Sequence, residues 1–445
     1  MERDMTVGRP AKLILSFALP VFIGNVFQQF YSMIDSVIVG RFVGVDALAA
    51  VGATGTIIFL ILGFLMGMTT GFTVLTAQRF GYGDMEGMRK TVGSAIILSV
   101  IVTIVITFVS VIWLKPLLHL MNTPENIFQD TYTYMMITAC GFFTQVMYNL
   151  FASILRALGN SKVPLYFLVV SALLNIVLDL VFIIVFHMGV AGAAYATVIS
   201  QGVSGVLCFL YIVFKIPMLK LKREHFKLDF YCVKNQLGIG LPMALQFSIT
   251  AIGTIMIQSA LNTLGSRVIA SYSAASKIEI FLTQAFGALG VTMATYCAQN
   301  KGANKISRIR QGIRLSVIYT IIYGVLAGGG IILFGRHLVN FFIVGQPQDI
   351  MGYTQTYFVI CGTFYPILGI IFTFRNGLQG MGYGLMPMVG GVAELAARAV
   401  VAVIASGIGS YAGICTANPI AWVAANIPLI IAYFVILKRE EQRVR

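Results

Sequence analysis

The chain has 445 residues, of which 58% are hydrophobic and only 10% charged, and it carries a formal net charge of +14. A soluble protein of this length needs far more charge to cover its surface. Apolar stretches of roughly 18 or more residues recur throughout, each long enough to cross a hydrocarbon core of about 30 Å, so the sequence reads as an all-α polytopic membrane protein.

In chain order, "MERDMTVGRPAK" mixes acids and bases ahead of an apolar run. That run is too long for a signal-peptide core and lacks a small-x-small cleavage site, so it reads as a retained first span. Twelve transmembrane helices are predicted at 13–39, 48–78, 92–114, 131–155, 164–187, 190–214, 235–261, 276–299, 315–335, 352–374, 385–407 and 411–437. The longest polar interruption, "KIPMLKLKREHFKLDFYCVKN" at 215–235, is the seam between an N-terminal six-helix lobe, 1–222, and a C-terminal one, 223–445. The six cysteines are scattered without metal or redox spacing and read as core residues.

The placement of the positive charge fixes an orientation. With the N-terminus in the cytoplasm, only Arg41, Lys115, Arg267, Lys277 and Arg336 fall outside, and Arg398 lies within a span. All other Lys and Arg fall inside, so both termini are expected in the cytoplasm of a bacterial-type cytoplasmic membrane. The basic excess then reports topology and contact with lipid headgroups, not a nucleic-acid partner.

The two halves repeat each other. Leu19-Pro20 recurs as Leu241-Pro242, and "GVDALAAVGATGTI" at 44–57 aligns with "GSRVIASYSAASKI" at 265–278. "AQRFGYGDMEGMR" at 77–89 aligns with "AQNKGANKISRIR" at 298–310, and "FASILRALGNSKVP" at 151–164 with "FRNGLQGMGYGLMP" at 374–387. An even number of spans per copy gives both the same orientation, hence a pseudo-two-fold axis along the membrane normal and a cavity between the lobes. That arrangement suits a transporter.

Four acids fall within spans: Asp35, Asp179, Glu279 and Glu394. An ionisable group there is a functional candidate, because it costs at least ~2.5 kcal/mol against lipid. Ser171, Asn175 and Asp179 are spaced four apart on one helix face; Thr197 and Gln201 do the same on the next span. Gln28, Ser32 and Asp35 fall at i, i+4 and i+7 on span one. If these stripes converge, two carboxylates, an amide and a hydroxyl form a pocket that holds a proton or a small hard cation. Glu394 and Arg398 stand at i and i+4 and can pair. Glu279, close after Lys277, reads as interfacial. Gln28, Tyr31, Met33, Asn149, Gln201, Glu394 and Arg398 are candidate substrate contacts. A cavity lined by some of the many aromatics and methionines would suit flat, apolar, cationic molecules.

No phosphate-binding G-x-x-x-x-G-K-[ST] is present, so energy is expected from an ion gradient. No metal-ligand cluster or nucleophile–base set stands out, and the chain reads as no enzyme. A membrane-embedded transferase would need clustered acids at loop–helix junctions for a metal–pyrophosphate.

The "LP" of span one, "MIDSVIVGRFVGVDALAAVG", "AQRFGYGD" with its echo "AQNKGANK", "LRALGNSKVP" and "NIVLDLVF" together resemble the MATE family, the multidrug and toxic compound extrusion transporters. The resemblance covers essentially the whole length. It implies a secondary antiporter of two six-helix lobes that exports organic cations and amphiphilic drugs by alternating access, in exchange for H+ or Na+ and without a cofactor. It places the cation site on Asp35, Asn175, Asp179 and Thr197, with Na+ the only metal, and a protonation-linked helix bend at Pro20. Asp35 is expected to face the first-lobe cavity. The NorM-like branch adds carboxylates on helices seven and ten; spans seven and ten here have none, so the chain resembles the DinF-like branch with its MepA-type pumps. Membrane lipids and small drugs are the expected partners, and one chain is expected to function as a monomer. The alternative is a lipid-linked oligosaccharide flippase of the same wider superfamily, which should need several cavity Arg or Lys for phosphates where Arg398 alone is clearly intramembrane.

Overall fold

The computed structural model describes residues 3–121, 123–339 and 348–444, and among these it is helical with no strand. The first repeat supplies α1 (Pro10–Phe42), α2 (Val45–Tyr82), α3 (Met85–Leu120), α4 (Glu125–Cys140), α5 (Phe142–Ala157), α6 (Lys162–Leu180) and α7 (Gly189–Lys215). The second supplies α8 (Phe230–Asn262), α9 (Ser266–Gly302), α10 (Ile306–Val339), α11 (Gln348–Thr363), α12 (Tyr365–Gly380), α13 (Leu385–Ile408) and α14 (Tyr411–Val444). Ten of the described helices are long and apolar enough to cross a membrane on their own, and twelve spans result if α4–α5 and α11–α12 each count as one.

Those two pairs correct the sequence reading, which drew spans four and ten as single helices. The chain bends by 45° at the first break and 47° at the second. At the first, Gly141 lies so close to α7 that a Cβ there would sit 2.2 Å from Val198 Cγ2. The bend and the missing side chain together let the two backbones approach. A further departure follows α6, where Val181–Val185 form a π-helical turn directly after the acidic stripe.

The duplication is visible in the element boundaries. α4 and α11 both begin and end 223 residues apart, as do α5 and α12, and α6 and α13 begin 223 apart. α1 and α8 are both 33 residues long, with Pro20 and Pro242 inside them.

By packing, the chain divides into two compact units that do not follow one contiguous cut. The first is Met1–Asp4 with Ile23–Ala244; the second is Met5–Phe22 with Leu245–Arg445. The opening half of α8 therefore belongs to the first unit. There Gln236, fully buried, bonds Ser94 Oγ at 2.7 Å and donates to the carbonyls of Thr91 at 2.8 Å and Phe72 at 3.2 Å. The opening half of α1 belongs to the second unit. Ile14 and Phe17 enter its apolar core, and the Met5 N–H donates to Gln299 Oε1 at 2.8 Å. Each division falls two residues after the proline, at Phe22 in α1 and Ala244 in α8.

Candidate functional site

Within the first unit, α1, α6 and α7 bring the predicted polar stripes together. Asp35 is 8% exposed, Asp179 fully buried and Asn175 1% exposed. The carboxyl groups of Asp35 and Asp179 are in hydrogen-bonding contact. Asn175 Nδ2 reaches Thr197 Oγ1 at 3.5 Å. α6 and α7 are pinned to each other just beneath: Ser171 Oγ donates to the Ser200 carbonyl at 2.8 Å, and Ser204 Oγ to that of Phe167 at 3.0 Å. The side chains that would hold an ion are thus set on helices locked in register.

Two tyrosines complete the arrangement. The Tyr31 hydroxyl bonds Gln201 and Thr197 and stands in the field of both aspartates. Tyr134 on α4, 7% exposed, lies within electrostatic reach of Asp35, Asp179 and Tyr31. Tyr134 escapes sequence reasoning because one tyrosine among nineteen carries no signal.

Chemically, the arrangement is an oxygen-rich pocket with two adjacent carboxyls withdrawn from water. Two bare charges about 4 Å apart at an effective dielectric of ~20 would repel by about 4 kcal/mol. A shared proton or an intervening cation removes that cost, and carboxylate, amide and hydroxyl oxygens are the ligands a hard cation prefers.

The remaining predicted residues fall elsewhere. Gln28, Ser32 and Met33 are exposed, so the polar stripe of span one is not shared; Tyr31 and Asp35 turn into the unit without them. Asn149 is half-buried and donates to the Gln145 carbonyl at 2.8 Å, and Gln201 is buried beside Tyr31. Pro20 lies inside α1 as expected.

In the second unit, Glu394 and Arg398 form the i, i+4 pair at 2.7 Å. The pair has a third member that the sequence reading assigned to a cytoplasmic end. Arg375 on α12, 8% exposed, donates to the other Glu394 oxygen at 2.7 Å. Arg398 is therefore not the sole buried arginine, and one carboxylate holds two guanidinium groups. Glu279, read from sequence as interfacial, is buried among protein side chains. The Tyr357 hydroxyl donates to its Oε2, and Arg398 acts on it electrostatically. Lys277, two residues away, points elsewhere because i and i+2 lie on different faces of a helix.

One group among the described residues could gather a metal: Glu86, Glu224 and His225, whose ligand atoms lie within 4.8 Å of one another. The Lys222 N–H donates to His225 Nδ1 at 2.8 Å, so the ring proton sits on Nε2, which faces Glu86 Oε1 at 3.0 Å. That tautomer offers the carboxylates a hydrogen instead of a lone pair. Together with Arg89 donating to the Met218 carbonyl at 2.9 Å, it straps the polar seam to α3.

A family profile described as MatE matches residues 20–181 and 240–404. The chain is 30% identical over 392 residues to the "Probable multidrug resistance protein YpnP" of Bacillus subtilis (strain 168), spanning 87% of this chain and 86% of that one. It is 21% identical over 375 residues to the "Multidrug export protein MepA" of Staphylococcus haemolyticus (strain JCSC1435), at 84% and 82% coverage. A solved structure described as "Crystal structure of MATE in the straight conformation" matches it with a TM-score of 0.90 and 22% identity, over 99% of this chain and 98% of that chain, which shows a shared fold.

Proposed function

This chain belongs to the MATE family of multidrug efflux transporters and is an integral membrane protein, and from that premise we propose that it exchanges organic cations and amphiphilic drugs for H+ or Na+ through Asp35 and Asp179. The observation that carries the reading is the contact of these two buried carboxyls. In the proposed cycle, an ion entering from outside is held by Asp35, Asp179, Asn175 and Thr197, with Tyr31 orienting Thr197. Ion and drug favour opposite states, and linkage makes each expel the other. Pro20 is where α1 bends as the pair is neutralised. The repeats 1–222 and 223–445 act as the two lobes of an alternating-access cycle, with both termini in the cytoplasm and one chain as the working unit. Gln28, Met33, Asn149 and Gln201 are offered as drug contacts.

The flippase alternative would need cations left over for phosphates, whereas Arg375 and Arg398 are both bound to Glu394.

The test is ethidium transport in energised inverted vesicles, comparing wild type with Asp35→Asn under separately imposed proton and sodium gradients. Gradient-driven transport is expected in the wild type and lost in the variant, and the effective gradient names the ion. Undiminished transport by Asp35→Asn would overturn the role of the pair.

A further inference from the structure

The second unit contains a position-by-position counterpart of the carboxyl pocket, and its chemistry is reversed. With α6 and α13 in register at 223 residues, Asp179 corresponds to Ala402, Asn175 to Arg398 and Ser171 to Glu394. α4 and α11 are in the same register, so Tyr134 corresponds to Tyr357. With Pro20 set on Pro242, Asp35 corresponds to Ile257 and Tyr31 to Gly253. Both ion-holding acids have become apolar and buried, Ile257 and Ala402 each being 3% exposed. The bulky Tyr31 has become a residue with no side chain at all.

The volume so released is filled by an arginine. A Cβ built on Gly253 would lie 2.5 Å from Arg398 Nη1 and 3.1 Å from its Cδ. The guanidinium therefore sits on the α8 backbone where a tyrosine would project in the other copy. Its Nη2 is held at 2.7 Å by Glu394, whose second oxygen takes Arg375. Glu279 lies within the field of Arg398, and its Oε1 has no hydrogen-bond partner among the described residues. Both guanidinium groups thus converge on Glu394, with Glu279 nearby.

We propose that Arg398 is a tethered internal cation: its guanidinium occupies the second unit's counterpart of the coupling-ion pocket, so that this unit binds no exchangeable ion and coupling runs through the first unit alone. The comparison with the first pocket rests on its reading as the coupling site. A guanidinium keeps its charge under all physiological conditions and can meet a carboxylate with two donors. A free cation held there would have to come and go, whereas this one stays on α13 throughout.

The test is chemical rescue in purified, full-length protein. Arg398→Ala opens a hole of guanidinium size beside Glu394 and Glu279. A fall of several degrees in Tm is expected, largely recovered by millimolar methylguanidinium and not by the same concentration of urea or NaCl; the wild type should gain nothing. Equal recovery with urea, recovery with neither, or an equal gain by the wild type would overturn the proposal. Should Arg398→Ala fail to fold, the Asp35→Asn/Asp179→Asn protein decides the point. For whichever ion drives the wild type, its sodium-dependent Tm shift or drug-induced proton release should fall to zero, and a surviving response would overturn the proposal. A wild type with no response to either ion would instead remove the coupling reading of the first pocket, and the proposal that rests on it would fall with that reading.

Discussion

Tyr31 couples two helices that each carry part of the pocket, since its hydroxyl touches Gln201 and Thr197 on α7 while its own helix carries Asp35. Removing that hydroxyl deletes hydrogen bonds worth about 1 kcal/mol each without touching the carboxyls. Tyr31→Phe should therefore express normally and weaken the apparent affinity for the driving ion roughly tenfold, read from the ion dependence of ethidium transport. An unchanged ion dependence would remove Tyr31 from the site. Asp179→Asn should behave like Asp35→Asn. The acids of this pocket were readable from sequence because a carboxylate inside an apolar run is costly unless it faces polar neighbours. Arg375 and Tyr134 were not. Arg375 lies at a span end by hydropathy, and its burial depends on Glu394, nineteen residues away on another helix. The burial of Glu279 is not legible from sequence because Lys277, its neighbour in the chain, lies on a different face of the helix.

Helix contacts in the first unit rest on a few very close approaches. Gly71 on α2 is one: a Cβ there would lie 2.4 Å from the Gly240 Cα on α8, which no side-chain movement can relieve. Gly71→Leu should abolish the monodisperse peak on size-exclusion chromatography in detergent, while a conservative change at exposed Val206 should not. Gln236 makes the complementary point with polarity. Gln236→Leu removes a donor from two buried carbonyls and a partner from Ser94, at roughly 1–3 kcal/mol for each group left unsatisfied. A Tm several degrees lower is expected, and an unaltered Tm would show that other groups can satisfy them. The lengths and order of the helices follow from hydropathy and glycine–proline punctuation. The bends at α4–α5 and α11–α12 do not, because Gly141 differs in no visible way from the other glycines of the chain until α7 is laid against it.

For the whole molecule, Pro20 and Pro242 sit where α1 and α8 pass from one packing unit to the other. Neither proline has an N–H to donate into its helix, and its ring crowds the preceding turn, so these are the points where each helix bends most easily. Pro20→Ala should stiffen α1, raising Tm while slowing ethidium turnover. Faster turnover would contradict a bending role. The polar seam at 215–235 marks where the two repeats join and is plain in the sequence; membership in a unit is decided by packing partners hundreds of residues away, which no local pattern announces.

The exchanged helix halves also bear on how the chain is made. Met5–Phe22 finds its core among residues that begin at Leu245. At roughly 5–20 residues per second of synthesis, that partner emerges on the order of ten seconds or more later. The first unit is likewise incomplete until Ala244 has been added, because Gln236 and its surroundings come from the start of the second repeat. Neither repeat can mature as a free-standing product of translation. The first helix must be held in the membrane half-packed until the ribosome has delivered the rest, which makes the interval before Leu245 appears the time when this protein is most exposed to quality-control proteases.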